Sequence, residues 1–176
     1  MKVCILSDSH DNLKLLEDAV TDAKQRGAEA ILHCGDVVAP STLKVTRACA
    51  LPVHVIHGNN TGDTFTMHRM ADKSNGLLNY YGQDAGIELG GKKIFMVHYP
   101  HYAEAMATTG KFDLVCCGHD HTTRIEWLDN IKGGKTLLIN PGTVGGIGAP
   151  ATYMLANLDD MQVETIEINK PAHQAS

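Results

Sequence analysis

Short apolar runs in this chain break off, again and again, into the same few polar residues. Residues 3–6 run into Ser7-Asp8-Ser9-His10, and residues 30–34 into Gly35-Asp36. Residues 53–56 lead to His57-Gly58-Asn59-Asn60, residues 94–97 to His98, and residues 114–117 to Gly118-His119-Asp120-His121. Runs this short and this apolar, bounded by turn residues, read as strands buried on both faces. Open α/β sheets place ligand sites at the carboxyl ends of their strands, and glycine there lets the backbone approach a site closely. The pattern therefore asks for an α/β fold in which several strand ends converge.

The intervening segments agree. Leu13, Leu16, Val20 and Ala23 recur at helical spacing, with Asp11 or Asn12 as N-cap and Gly27 just past the end. A second helix is expected over 41–50, with Pro40 near its start, a third strand over 52–56, and part of a further helix over 68–73. Strand–helix–strand alternation implies right-handed parallel crossovers. The second half is richer in strands. Residues 86–89 and 92–97 read as a hairpin closed by Gly90-Gly91, and a short helix over 102–109 stops at Gly110. Further strands are expected over 114–117, 124–128, 136–139, 152–158 and 163–168, with Gly133-Gly134 and Asp159-Asp160 as turns. Two mixed sheets packed face to face, with helices outside, is the simplest α/β architecture of that content. At 176 residues the chain suits one domain, expected over 1–169, with 170–176 as a flexible tail that lacks periodicity.

Taken singly, each polar fragment has an ordinary explanation. Asp8-Ser9-His10 reads as a helix cap, Gly35-Asp36 and Gly58-Asn59-Asn60 as turns, and His98 as a satisfied core histidine. Gly118-His119-Asp120-His121 resists that treatment, because two histidines after a buried strand are costly without partners. In this order, all at strand ends, they read as one site. Carboxylate and imidazole donors without thiolates suit Mn, Fe, Zn, Co or Ni and speak against an iron–sulfur cluster. A single catalytic zinc usually has three protein ligands. The seven candidates Asp8, His10, Asp36, Asn59, His98, His119 and His121 are too many for one ion and suit two. One carboxylate can bridge such ions at roughly 3.5–4 Å, and the pair activates water and steadies a phosphoryl group.

Composition narrows the partners. The net charge is −5 and no Lys/Arg run occurs, which argues against an extended nucleic-acid surface but not against a small phosphate substrate. No apolar run approaches the ~20 residues of a membrane span. The chain opens directly on a strand pattern, so no signal peptide is expected. The five cysteines lack CxxC spacing; Cys4, Cys34, Cys116 and Cys117 lie in apolar runs and Cys49 on a predicted helix. They read as reduced core residues of a cytoplasmic protein. Oligomeric state has no signature here.

The string Asp8-x-His10, Gly35-Asp36, Gly58-Asn59, His98, Gly118-His119-x-His121 resembles the calcineurin-like metallophosphoesterase superfamily, in particular its small bacterial and archaeal phosphodiesterase branch. The resemblance runs from Met1 to about Gly142, including Asn140-Pro141-Gly142-Thr143. It implies a four-layer α/β/β/α sandwich, two divalent metals with manganese foremost, and hydrolysis of a phosphoester by metal-activated water. By the same resemblance Asp8, His10, Asp36 and His121 would hold one ion, and Asp36, Asn59, His98 and His119 the other. Asp36 would bridge them, and Asn140 and Gly142 would lie in a supporting loop.

The chain departs from that family in three places. Asn60 stands where many members carry a histidine that protonates the leaving group or steadies the transition state. An amide can donate a hydrogen bond but cannot serve as a general acid near neutral pH. His57 and His101 are candidates for that proton. Thr61 replaces a frequent Asp or Glu, and the nearest acid, Asp63, either supports the site or caps a helix. Tyr99-Pro100-His101 follows His98 where Gly is common, so Tyr99 or Tyr102 either lines the substrate pocket or packs locally. A phosphodiester is expected ahead of a phosphomonoester. A non-catalytic metal-binding scaffold is the competing class. A single-metal amide hydrolase is disfavoured, because Glu17, Glu29, Glu88 and Glu104 lie away from the ligand-bearing strand ends.

Overall fold

The structure is a computed structural model and describes residues 1–168. In chain order, β1 (Lys2–Leu6) leads to α1 (Leu13–Gln25) and β2 (Ala30–His33); a 3₁₀ turn (Pro40–Thr42) then runs into α2 (Leu43–Ala48) and β3 (Val53–Val55). Next come α3 (Thr64–Asp72), β4 (Leu78–Tyr80), the hairpin of β5 (Asp84–Leu89) and β6 (Lys92–Val97), and α4 (Pro100–Thr108). The chain ends in β7 (Leu114–Cys116), β8 (Thr123–Asp129), β9 (Lys135–Pro141), β10 (Thr152–Asn157) and β11 (Gln162–Glu167).

These form two mixed sheets, ordered β11-β10-β1-β2-β3-β4 and β5-β6-β7-β9-β8. Strands β1 to β4 pair in parallel, with β10 and β11 antiparallel at one edge. In the second sheet β6, β7 and β9 are parallel, and β5 and β8 flank them antiparallel. Side-chain alternation along β1 builds the layers. Cys4 and Leu6 face the helices with Leu16, Val20 and Met67, whereas Val3 and Ile5 enter the seam between the sheets with Ile94, Leu114 and Ile139. A third cluster, including Val97, Ala103, Ala107 and Val115, seats α4 on the far face. The result is the expected four-layer α/β/β/α sandwich.

The differences in detail have local causes. The first helix is capped by Asn12, whose Oδ1 accepts from Leu15 N at 3.3 Å, and not by Asp11. The helix expected over 41–50 is split, its first turn tightened to 3₁₀ behind Pro40. α3 begins earlier than expected, where Asp63 accepts from Thr66 N at 2.9 Å. α4 likewise starts at Pro100, a residue suited to the first helical position because it has no N–H to leave unpaired. β4 was not anticipated. The hairpin turn is the expected one, with Leu89 opposite Lys92 and positive φ at both Gly90 and Gly91. All five cysteines are buried free thiols. The tail expected over 170–176 lies outside the described residues.

Candidate metal centre

The ends of β1, β2, β3, β6 and β7 bring the expected residues together. Asp8 and Asp36 are buried, His98 is fully enclosed, and His10 is half-buried. Asp8 Oδ1 lies 3.3 Å from His121 Nε2, 3.7 Å from His10 Nε2 and 4.0 Å from His98 Nε2. Asp36 faces two ways: Oδ2 is 3.6 Å from His10 Nε2, and Oδ1 is 3.4 Å from His98 Nε2. On the far side, Asn59 Oδ1 meets His98 Nε2 at 3.0 Å and His119 Nδ1 at 2.8 Å. His10 and His121 approach Nε2 to Nε2 at 3.3 Å.

The hydrogen bonds behind these rings set their direction. His98 Nδ1 donates to the Cys34 carbonyl oxygen at 2.9 Å, and His121 Nδ1 to the Ile147 carbonyl oxygen at 2.7 Å. A carbonyl only accepts, so in each neutral ring Nδ1 carries the hydrogen and Nε2 turns a lone pair inward. The lone pair of His98 thus lies against an amide oxygen and two carboxylates. Asp8 Oδ1 is buried and accepts no hydrogen bond. Such an arrangement of facing acceptors is unfavourable by itself and is what a cation resolves. Ligand atoms about 2.1 Å from one ion stand about 3 Å apart, close to the spacings here. Two triads, Asp8–His10–His121 and Asp8–Asp36–His98, converge closely enough for a cation each. The donors present therefore fit a pair of divalent ions.

The backbone is bent to achieve this. Asp8, His10, Asp36, His119 and His121 all have φ between 43° and 79°. For non-glycine residues this left-handed region is strained, and such strain gathers at functional sites. Close approach explains two glycines: a Cβ on Gly58 would strike Asp36 Oδ1, and one on Gly118 would strike Ser7 Oγ and lie 2.5 Å from Asp8 Oδ2.

A ring of supporting contacts completes the site. His33 Nδ1 accepts from Gly35 N at 3.3 Å, so its Nε2–H donates to Ser9 Oγ at 3.0 Å. Ser9 Oγ in turn donates to the Asp36 carbonyl oxygen at 3.3 Å. Burial lowers the His33 pKa to about 3 and keeps the ring neutral. Asn140 Nδ2 donates to the Gly118 carbonyl oxygen at 3.0 Å and to Asp120 Oδ1 at 2.7 Å, and Asn140 Oδ1 accepts from Gly142 N at 3.1 Å. Thr143 Oγ1 donates to the Asp8 carbonyl oxygen at 2.9 Å. Asp11 holds the Ala39 N–H and the Thr42 hydroxyl, tying down the loop after Asp36. Sequence reasoning placed Asn140 and Gly142 in a supporting loop, but Asn140 belongs to β9 and Gly142 follows its end, and the supporting roles of His33, Ser9, Asp11 and Asp120 were missed.

The remaining expected residues sort themselves. Asn60 turns toward Asp36, donating its backbone N–H to Oδ1 at 2.9 Å and its amide to Oδ2 at 2.7 Å. His57 shares a 2.6 Å hydrogen bond with Tyr80 Oη, and burial lowers its pKa. Asp63 is an exposed helix cap. His101 is exposed on the first turn of α4, its ring 5.7 Å from Tyr99 and 5.1 Å from Tyr102.

Known proteins carry the same domain. Residues 1–161 match the calcineurin-like phosphoesterase superfamily domain. Over 148 residues, 83% of this chain and 86% of the relative, the sequence is 28% identical to a phosphodiesterase of Methanocaldococcus jannaschii. The fold aligns with the structure of an archaeal phosphodiesterase at TM-score 0.86 and 24% identity, over 96% of this chain and 100% of that one. It aligns with a phosphoesterase from E. coli at TM-score 0.64 and 20% identity, over 96% and 100% of the two chains.

Proposed function

Because the chain belongs to the calcineurin-like phosphoesterase superfamily, we propose that it hydrolyses a small phosphodiester with two divalent cations disposed about Asp36. Asp8, His10, Asp36 and His121 would hold one ion, and Asp36, Asn59, His98 and His119 the other. The observation that carries this reading is Asp8 Oδ1, buried without a hydrogen bond among three imidazole nitrogens at 3.3–4.0 Å. Bound divalent ions lower the pKa of water and neutralise charge developing on the phosphoryl oxygens.

The chain's own groups prepare the site. The Cys34 and Ile147 carbonyls fix the His98 and His121 rings with their lone pairs inward. Asn60 holds the Asp36 carboxylate through its backbone N–H and one amide N–H, and an amide cannot give a proton to a departing alkoxide. This supports a preference for esters whose leaving group departs as a stable anion. The likeness to the Methanocaldococcus phosphodiesterase supports a diester ahead of a monoester. We take manganese first; the mixed carboxylate and imidazole donors suit nickel, iron, cobalt or zinc as well. Five buried thiols support a reducing, cytoplasmic setting; among the described residues no helix is long and apolar enough to cross a membrane.

The test is metal content together with hydrolysis of bis(4-nitrophenyl) phosphate and 4-nitrophenyl phosphate, with Mn, Ni, Co or Zn, beside Asp36→Asn. Two ions per chain, faster turnover of the diester and loss of both in the variant are expected. A folded protein that takes up no metal would overturn the reading; faster turnover of the monoester would reverse the order of substrates.

A further inference from the structure

We propose that Tyr99, His101 and Tyr102, with Gln83 and Asp84 beside them, form a subsite for the base of a nucleobase-bearing phosphoester; this rests on the phosphoesterase reading above. Three rings step outward from the metal centre along the start of α4. Tyr99 meets the His98 ring at 5.3 Å and the His119 ring at 5.0 Å, edge to face at 72° and 66°. His101 leans on Tyr99 at 5.7 Å and 38°, and Tyr102 on His101 at 5.1 Å and 42°. Pro100 fixes the backbone from which they project.

Packing does not account for the outermost ring. α4 is seated on its sheet by Ala103 and Ala107, both fully buried, whereas Tyr102 is 57% exposed. A large aromatic displayed beside a site is a surface built for contact. An opening of about 80 Å³ next to it is lined by Gln83, Asp84, Val97, Tyr99 and Tyr102. Its apolar floor is Val97 and its polar rim is Gln83 and Asp84. It is too small to enclose a base and takes only an edge, with the face of the base over Tyr102.

That division matches the chemistry of a nucleobase, which has flat π-faces and an edge of donors and acceptors. Every base can stack on an aromatic ring. The Asp84 carboxylate accepts only, so it selects edges bearing N–H groups, and Gln83 can both donate and accept. The Asp84 charge also turns phosphates away from this end, toward the cations expected beside Tyr99.

The experiment uses the full-length protein in two arms. In the first, adenosine, guanosine and cytidine are titrated into metal-free protein and followed by NMR, which needs no turnover. Shifts should centre on Tyr99, Tyr102 and Asp84, and should disappear in Tyr102→Ala but persist in Tyr102→Phe. In the second, inhibition constants of nucleoside 5′-monophosphates and of methyl phosphate are compared in the metal-loaded enzyme. The base should tighten inhibition about tenfold, the order of one stacking contact. Tyr102→Ala should collapse that ratio, and Asp84→Asn should alter the ranking among bases. Nucleosides that leave these residues unperturbed, or a ratio near one, would overturn the subsite. Nucleoside binding without hydrolysis of any ester would keep the subsite and sink the phosphoesterase reading instead.

Discussion

Asn60 grips Asp36 at both oxygens, with its backbone N 2.9 Å from Oδ1 and its amide N 2.7 Å from Oδ2. The residue at the position where many family members carry a histidine thus acts on the carboxylate proposed to bridge the two ions. The departing oxygen is left to its own basicity. Across aryl and alkyl diesters, kcat/KM should therefore fall steeply as leaving-group pKa rises. Asn60→His should flatten that slope and lift alkyl esters about a hundredfold, the low end of what general acid catalysis contributes. A flat profile in the wild type, with chemistry rate-limiting, would refute the assignment.

Asp8 Oδ1 is a buried acceptor with nothing to accept. Asp8→Asn removes the unpaired charge, so the metal-free protein should become more stable by about 1–3 kcal/mol, the usual cost of an unsatisfied buried group. At this chain length that is roughly 2–4 °C per kcal/mol. The stabilisation that added manganese gives the wild type should shrink in the variant, which keeps the ligands proposed for the second ion. Thermal melts with chelator and with manganese would show both effects; a variant less stable than the chelated wild type would contradict the account.

His33 has no exposure, and its pKa falls from 6.5 to about 3 because burial opposes its charge. The ring folds neutral and must be protonated to follow the unfolded chain in acid. Its contribution is therefore intact above pH 6.5 and is lost as pH falls from there toward 3. The expected slope is about 1.4 kcal/mol per pH unit from this one proton. Urea denaturation of chelated protein between pH 6.5 and 4 should show a slope shallower by that amount in His33→Gln. Equal slopes would mean that His33 carries its proton in the fold.

At Gly58 a methyl group would overlap Asp36 Oδ1 and sit 2.7 Å from His98 Nε2. Gly58→Ala should cost about 1–3 kcal/mol, as overpacking does. It should also reduce bound metal from two ions per chain to one, since the displaced atoms belong to the second ion position. Metal analysis after dialysis, set beside a melt, separates the two effects.

The strand ends were readable because each short apolar run terminates abruptly in a ligand type: β1 and β6 end where that pattern says, and β2, β3 and β7 one residue before it. The layering followed from the same runs, whose alternate residues feed two different cores. β4 escaped notice because it has three residues and is only partly buried beyond Leu78. α3 was expected to begin too late because its start depends on a side-chain cap, Asp63, rather than on apolar spacing. His33 was hidden inside an apolar run, where nothing distinguishes a hydrogen-bonded imidazole from a strand residue. The Asn60–Asp36 clamp spans 24 positions and has no local signature. The Cys34 and Ile147 carbonyls that orient two imidazoles belong to the main chain, which every residue possesses.

Those two carbonyls bear on how such a protein changes over generations. Ile147 is 48% exposed, and its backbone oxygen is what accepts from His121. A substitution there that preserves the loop's path leaves the ring's orientation alone. The same separation holds at Cys34, whose thiol lies in the core while its carbonyl meets His98. Ligand geometry is thereby decoupled from side-chain drift at the positions that enforce it. Residues facing a substrate are free to diversify without retuning the metals, so a lineage can explore new esters while inheriting an unchanged catalytic frame.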